Sequence, residues 1–410
     1  MKVVIINRSD ALGGAAIASS RLCHALCQAG ADARMLVLDR RTDDVVVQAV
    51  GTPLGNRYRF LAERLGIFLR NGFSRERLFL IDTATQGVDL SCHPWVREAD
   101  VIVLGWINQA MLSLEGVARL ASLGKPLVWV MHDMWNATGV CHHAEDCQGL
   151  NGQCEQCPLL PAGSRLAQRA WLRKMELYKN GDIHFVAVSN WLRKVCQESS
   201  LMRECDITVI PNAIDVARFD PVSLDDNPWG VEPGRQVVVM GAARLDDPGK
   251  GFDRLVAALR WLADHHPDAA QRLHLVLYGA LRDNSLLDSI PVPFTHLGYV
   301  DDIQSVYRHA HIVVSSSTRE SFGYTLVEGM ACGCTAVTTG LGGQTDIVSH
   351  LKNGYVSSTL DSIELAEGLV WALDHGCDRQ AQHNWIADKF DLPAVASSHL
   401  ELYNQLLARK

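Results

Sequence analysis

Short continuous runs of β-branched and other apolar residues alternate along this chain with longer stretches in which apolar positions recur every three or four residues. A strand that is apolar on both faces has to be covered on both, and a helix between successive strands supplies the cover. The pattern is that of parallel sheets sandwiched by helices, an α/β architecture. In the first half, KVVIIN (2–7), ARMLVLD (33–39), DVIVLGW (100–106), PLVWVMHD (126–133) and IHFVAVS (183–189) predict strands. The second half restarts with QVVVMGA (236–242), LHLVLYGA (273–280), HIVVSSS (311–317), CTAVTTG (334–340) and NGYVSS (353–358). Between them, residues 211–234 lose periodicity and are rich in Pro, Gly, Asn and Asp, as a connection between domains is. The expected organisation is a doubly wound domain over 1–210, a second over 211–385, and a C-terminal helical stretch over 386–410 that packs back toward the first domain. Ligands are expected at the carboxyl ends of the strands, in the cleft between the domains.

A length of 410 residues suits two domains that each bury a core, and 48% apolar against 20% charged residues is an ordinary globular composition. The net charge of −8 argues against a nucleic-acid partner for the chain as a whole. The apolar run in MKVVIINRSDALGG is too short for a signal peptide or a membrane span, so a cytoplasmic protein is expected. In that compartment the 12 cysteines are thiols or metal ligands rather than disulfides. Cys23, Cys27, Cys196, Cys332 and Cys334 fall in apolar runs and read as small core residues.

The stretch ESFGYTLVE places Glu320 in the loop after a predicted strand and Glu328 about one turn into the next predicted helix. The N–H groups that open such a helix form an anion site, and Gly323 lets a ligand approach the backbone without a Cβ in the way. A carboxylate accepts two hydrogen bonds and so suits a vicinal diol, which a hexose and a ribose both present. Two acids around a phosphate-binding helix end therefore fit a nucleotide sugar. Taken singly, each Glu reads equally as a solvated helix charge.

The stretch E-S-F-G-Y-T-L-V-E resembles the E-x7-E signature of the retaining glycosyltransferases of the GT-B fold, glycosyltransferase family 4 in particular. NRSDALGGAA (7–16), VMHDMW (130–135), AVSNWLRK (187–194), VIPNAID (209–215), GAARLDDPGKGFDRL (241–255) and THLGYVDD (295–302) agree in the same order along nearly the whole chain. The resemblance implies two doubly wound Rossmann-like domains facing across a cleft, with a nucleoside-diphosphate sugar held by the C-terminal domain and the acceptor by the N-terminal one. It implies that Glu320 holds donor sugar hydroxyls and Glu328 the ribose. Backbone N–H groups of Phe322, Gly323 and Tyr324 would meet the sugar, those of Thr325 and Leu326 the phosphate, and Gly298 and Tyr299 would belong to the donor site.

In GAARLDDPGKGFDRL, Arg244 follows a strand and Lys250 opens a helix, so both cations can reach one diphosphate; solvated surface cations paired with Asp246 and Asp247 are the alternative. Negative charge grows on that diphosphate as the sugar leaves, so cations there favour the transition state. Gly13 and Gly14 end the first strand-to-helix loop and read as an approach to the donor phosphate or the acceptor, or as a plain tight turn. His132, at the end of a strand beside Asp133, is the candidate side chain near the reacting centre, with Asp133 to orient it. The matching His of the family contacts the donor sugar. No residue stands out as a covalent nucleophile, and the family needs no catalytic metal. A retaining hexosyltransferase in which the acceptor attacks on the face the diphosphate leaves, passing its proton to a diphosphate oxygen, is the expected mechanism.

After His132 comes VCHHAEDCQGLNGQCEQCPLLP, with Cys141, Cys147, Cys154 and Cys157 spaced C-x5-C-x6-C-x2-C. The final C-x2-C suits two ligands of one structural zinc, with His142 or His143 as substitutes and free thiols or a redox pair as the alternative. A similar insert marks family 4 members that resemble enzymes of bacterial exopolysaccharide and colanic acid assembly. Residues 55–80 carry six Arg against two Glu among Tyr, Phe, Leu and Ile. That is a patch for an anionic membrane on the inner face of the cell, with a lipid-linked saccharide as acceptor, or else a helix packed on its own sheet. A phosphorylase or hydrolase on the same fold, and a non-catalytic sugar-nucleotide-binding module, are the rival functions.

Overall fold

The computed structural model describes residues 1–144, 147–221, 228–318 and 320–409. The chain divides into two units, Met1–Ala213 with Leu392–Lys410, and Ile214–Asp391. The crossing points fall a few residues from those expected, and the first unit takes in residues from both ends of the sequence.

Unit 1 is built on seven parallel strands: β1 (Lys2–Ser9), β2 (Asp32–Asp39), β3 (Val47–Ala49), β4 (Val101–Leu104), β5 (Leu127–Met131), β6 (Ile183–Ala187) and β7 (Ile207–Val209). Their spatial order is β3-β2-β1-β4-β5-β6-β7. Helices α1 (Gly14–Gln28), α2 (Pro53–Phe68), α3 (Pro94–Glu98), α4 (Leu114–Ala121), α5 (Leu166–Asn180) and α6 (Asn190–Glu198) connect them. The strands β4, β5 and β6 are buried at every position, as strands covered on both faces must be.

Unit 2 repeats the design with six parallel strands: β8 (Gln236–Arg244), β9 (Leu273–Ala280), β10 (Phe294–His296), β11 (Ile312–Ser315), β12 (Thr335–Thr339) and β13 (Gly354–Ser357), in the order β10-β9-β8-β11-β12-β13. Helices α7 (Phe252–His265), α8 (Pro267–Gln271), α9 (Ile303–Arg308), α10 (Tyr324–Ala331), α11 (Ser362–His375) and α12 (Arg379–Phe390) complete it. Its core joins Val238, Leu275 and Ile312 of the sheet to Leu255, Leu259 and Leu262 of α7 and to Leu365 and Leu369 of α11. The last helix, α13 (Leu392–Ala408), belongs to unit 1 and packs on α1.

Each of the ten predicted runs contains a strand. Three strands were not predicted, β3, β7 and β10; each has three residues and lies at a sheet edge. In both sheets the chain direction along the sheet reverses beside the first strand, between β1 and β4 and between β8 and β11. Loops leaving such a pair diverge to opposite faces and open a crevice at the carboxyl ends, where open α/β sheets bind ligands. Among the described residues no helix is long and apolar enough to cross a membrane.

Candidate functional site

In unit 2 the crevice between β8 and β11 brings together Lys250 and Glu320, one cation and one acid singled out in the sequence. Arg244 ends β8, a turn follows, and Pro248–Lys250 form a single 3-10 turn that Asp247 caps through the Gly249 N–H, 2.9 Å. Gly251 then opens α7 with φ +67°. A Cβ here would sit 2.1 Å from the Ser316 carbonyl oxygen, so a close backbone approach as well as the dihedral demands glycine. The loop is tied to the segment after β11: the buried Ser316 Oγ lies 2.7 Å from the Gly251 carbonyl oxygen, and the Thr318 N–H donates to the Gly249 carbonyl at 3.0 Å.

This lacing brings Lys250 Nζ to 2.9 Å from Glu320 Oε2. The neighbouring carboxylate, working against burial, raises the Lys250 pKa, so the ammonium is held firmly protonated. Arg244 does not join them; its Nε lies 3.0 Å from Asp246 Oδ1 and the side chain is largely exposed. Helix α10 starts at Gly323, φ +117°, with no side-chain cap. The helices α1 and α7 likewise start on positive-φ glycines without a side-chain cap, whereas Thr52, Ser113 and Ser189 cap α2, α4 and α6. The uncapped starts leave first-turn N–H groups for another acceptor. Of the N–H groups expected to be available, that of Leu326 donates instead to the Gly323 carbonyl at 3.1 Å, because the first turn is tightened.

Glu328 is 5% exposed, so it is not a solvated helix acid. It lies near Tyr278 and Tyr307, whose hydroxyls are 2.6 Å apart and whose pKa values are raised first by burial and further by the Glu328 charge. Phe322 is buried edge-on between Tyr324 and Phe390. Gly298 has φ +66° and open space at its Cα, and the Tyr299 side chain beside it is exposed. Sequence reading missed Gln344, whose buried amide donates to the Thr339 and Leu341 carbonyls at 2.9 Å each and accepts from Ser315 at 3.1 Å, fixing the ends of β11 and β12. Nothing in GGQTD distinguishes this glutamine from a surface one.

In unit 1 the corresponding crevice holds Gly13, φ +88°, and Gly14 at the start of α1, both exposed, with His132 directly after β5. His132 Nε2 is shut off from solvent with no hydrogen-bond partner, and the ring lines a small cavity shared with Ser19, Asn212 and His399. Burial lowers its pKa to about 4 against a smaller opposing effect of Asp133, so the ring is neutral near pH 7. Asp133 does not orient His132 as expected. Its carboxylate accepts from the Trp135 N–H at 2.8 Å and from Trp106 Nε1 at 2.9 Å, and pairs with His142 Nδ1 at 2.8 Å. Burial pushes this carboxyl up, but His142 and the Trp135 N–H outweigh it and hold the group well below the usual range. The segment beyond is fixed by the buried Lys174, whose amine donates to the Trp135 and Thr138 carbonyls and covers the Trp135 ring.

The thiols of Cys141, Cys147, Cys154 and Cys157 are free. Cys154 Sγ accepts from the Gly139 N–H at 3.2 Å, and burial raises the pKa of Cys141 to about 12, with the neighbouring Cys157 and Cys154 adding to it. Among the described residues no three His, Cys, Asp or Glu side chains converge as a metal site does. His142, a substitute ligand in the sequence reading, is engaged by Asp133.

Helix α2 buries a charged pair and exposes an apolar stripe. Glu63 and Arg64 are 2% and 5% exposed, whereas Leu54 and Tyr58 are 83% and 72% exposed and Leu61, Leu65 and Leu69 continue the outward stripe. Asp82, buried in the following loop, pairs with Arg64 and holds this one charged pair inward, beside the buried Ile67. Burial and Asp82 together raise the Glu63 pKa to about 8, with Arg64 opposing.

Comparison with known proteins agrees with this architecture. A family model described as Glycosyltransferase Family 4 matches residues 12–218, just over half of the chain, and one described as Glycosyl transferases group 1 matches residues 235–375. Similar proteins include a mannosylfructose-phosphate synthase from Agrobacterium fabrum, 28% identical over 48% of this chain and 46% of its own length. A phosphatidyl-myo-inositol mannosyltransferase from Mycobacterium tuberculosis is 30% identical over 53% of this chain and 58% of its own. A D-inositol 3-phosphate glycosyltransferase from Corynebacterium jeikeium is 26% identical over 68% and 69%. The matched segment thus spans about half the length of the first two. Among solved structures, HepE from Anabaena in complex with UDP and glucose has TM-score 0.63 at 18% identity, covering 98% of this chain and 99% of the other. Sucrose-phosphate synthase from Thermosynechococcus elongatus has TM-score 0.66 at 17%, covering 100% and 99%. These likenesses establish the GT-B fold. The chain belongs to the family that the two sequence models describe, the group 1 and family 4 glycosyltransferases.

Proposed function

We propose that the chain is a retaining hexosyltransferase that takes a nucleoside-diphosphate sugar as donor and a saccharide or lipid-linked saccharide as acceptor, in the synthesis of bacterial cell-surface polysaccharide. The observation that carries the reading is the Lys250–Glu320 pair at 2.9 Å beside the uncapped start of α10. It sets an acid for sugar hydroxyls, a cation for a diphosphate and a helix terminus for phosphate within one crevice. Lys250 and Arg244 neutralise the diphosphate as it departs, Glu320 orients the sugar, and Glu328 holds the ribose. The backbone N–H groups of Phe322, Gly323, Tyr324 and Thr325 are assigned to sugar and phosphate. Gly298 and Tyr299 are assigned to the nucleoside. On the resemblance, Gly13 and Gly14 are assigned to the donor phosphate or the acceptor and neutral His132 to the donor sugar. The acceptor hydroxyl attacks the anomeric carbon on the face the diphosphate leaves; the C–O bond to diphosphate breaks, and a diphosphate oxygen receives the hydroxyl proton.

Release of nucleoside diphosphate from UDP-, GDP- and ADP-sugars, compared with Glu320→Ala and Glu328→Ala, tests the donor site. Slow hydrolysis of one donor, lost in both variants, supports it; hydrolysis that survives both places the reaction elsewhere. Retention is tested by NMR of the product anomer. A structural zinc on Cys141, Cys147, Cys154 and Cys157 is a separate reading that rests on their spacing. It requires the thiols to be drawn together and deprotonated, and one zinc per chain in protein purified without chelator is the count that supports it.

A lipid-linked acceptor is favoured by the outward apolar stripe of α2 and the Arg residues beside it, a surface suited to an anionic bilayer. The phosphatidyl-myo-inositol mannosyltransferase named above acts, by its name, on such an amphiphile. Flotation with phosphatidylglycerol vesicles at low salt, abolished by Leu61→Glu with Leu65→Glu, is the expected result.

A further inference from the structure

The ends of β11 and β12 are joined by a buried polar network whose centre is Gln344, a fully buried residue. Its amide nitrogen donates to the Leu341 and Thr339 carbonyls at 2.9 Å each, with the Thr339 hydroxyl and, at 3.4 Å, the Ser317 carbonyl beside it. Its carbonyl oxygen accepts from the Ser315 hydroxyl at 3.1 Å. The Thr339 hydroxyl spends its own hydrogen on the Ser317 carbonyl at 2.7 Å, so toward Gln344 it can only accept. The nitrogen of Gln344 is therefore surrounded by acceptors. A primary amide suits that place because it offers two hydrogens on one side and a lone pair on the other. A carboxylate would turn lone pairs toward the same acceptors, and an apolar side chain would leave the Leu341 and Thr339 carbonyls without this donor.

The network reaches the Lys250–Glu320 pair from two sides. On one side the turn that carries Gln344 grips the main chain of Glu320. The Gly343 N–H donates to the Glu320 carbonyl at 2.7 Å, and Gly342, φ +104°, comes so close that a Cβ there would stand 2.3 Å from the same oxygen. On the other side Ser315 leads into Ser316, whose hydroxyl lies 2.7 Å from the Gly251 carbonyl oxygen and 3.1 Å from that of Lys250. A shift of either strand end would thus move one member of the pair relative to the other. We propose that Gln344 is a positioning residue for this pair, fixing the separation and direction of the Glu320 carboxylate and the Lys250 ammonium from beneath without itself touching a ligand. The proposal rests on the reading of this crevice as the donor-sugar site. An acid that orients a sugar and a cation that meets its leaving group act together only when each is held in register with the other.

The test compares the full chain with Gln344→Met, which keeps the length and removes the amide, and Gln344→Glu, which keeps the shape and makes the donor depend on pH. Crystal structures of the wild type and Gln344→Met give the first readout. The contact between Lys250 and Glu320 is expected to open beyond hydrogen-bonding distance in the variant, and a contact that stays as it was overturns the proposal whatever the activity. The second readout is nucleoside diphosphate release from a nucleotide sugar, measured well below the melting temperature. Gln344→Met is expected to slow it about 10- to 100-fold while nucleoside diphosphate binds as before, because the Glu320 carboxylate is assigned to the sugar and not to the nucleotide. Rate and affinity lost in equal measure would make Gln344 a support of the whole crevice and overturn the finer role. In Gln344→Glu the buried carboxyl keeps its proton well above the usual range and donates in place of the amide, so its activity relative to wild type is expected to be highest at low pH and to fall about tenfold between roughly pH 6 and pH 9. A ratio that does not change with pH overturns the proposal, and this comparison is made within one protein, so it holds even where Gln344→Met does not fold. If the wild type releases nucleotide from no donor and the contact still opens in Gln344→Met, the transferase reading fails and the positioning of the pair stands.

Discussion

Replacing Gly251 with alanine asks whether the Lys250 loop is held by close backbone packing. Two costs can be separated. The residue sits at φ +67°, where an L side chain loses about 1–2 kcal/mol relative to glycine. In addition, its new Cβ would lie 2.1 Å from the Ser316 carbonyl oxygen, a backbone atom that cannot swing away as a side chain can. Relieving such an overlap by backbone movement costs about 1–3 kcal/mol more. Gly298 provides the comparison, because it has φ +66° and nothing within 4 Å of where a Cβ would stand. Gly298→Ala is expected to cost only the dihedral part, about 1–2 kcal/mol, and Gly251→Ala about 2–5 kcal/mol in total. For a unit of this size each kcal/mol corresponds to roughly 2–4 °C in melting temperature. Scanning calorimetry of the two variants beside wild type gives the difference directly. The reasoning fails if Gly251→Ala melts no lower than Gly298→Ala, since the contact with Ser316 would then contribute nothing.

Lys250→Met is expected to lower turnover about 10²- to 10³-fold by removing a cation from the leaving diphosphate, while its partly exposed ion pair changes stability by no more than about 1 kcal/mol; steady-state kinetics and a melting curve read the two together. Asp133→Asn places an amide among groups that donate to the carboxylate, and a loss of about 1–3 kcal/mol is expected from the urea unfolding midpoint of unit 1. His399 is buried and its pKa is lowered by burial to about 3. The unfolded chain therefore takes up a proton below pH 6.5 that the folded chain refuses, and stability is complete above that pH and falls as the pH drops toward 3. Between pH 7 and pH 5 this one group removes about 2 kcal/mol, and His399→Gln is expected to flatten the dependence of melting temperature on pH over that window.

Long buried strands were legible because covering both faces forces every position to be apolar, as in VIVL of β4 and LVWVM of β5. The edge strands β3, β7 and β10 have three residues each, too few for a period to register, and an edge needs less apolar character than a centre. Lys250 and Glu320 lie in segments that follow the neighbouring strands β8 and β11, so the order of apolar runs along the chain already records that the two positions share one end of the sheet. Asp133 was misread because its partners, Trp106 and His142, arrive from 27 residues before and 9 after, distances that no local pattern encodes. The orientation of α2 was left open for the same reason. Its sequence supports either face inward, and the buried Asp82 holds Arg64 on the inner one.

The first unit is not a continuous piece of chain. Its helix α13 buries Val395, His399 and Tyr403 against a body otherwise finished at Ala213, and the whole of unit 2 is read between them. On a ribosome working from the N-terminus, α1 therefore emerges long before the helix that covers it. The segment 214–391 can close its own core while the earlier segment still waits with an open face. Birth order and completion order are thereby reversed, and a ribosome that stalled before the last helix would leave the first-made domain as the unfinished one.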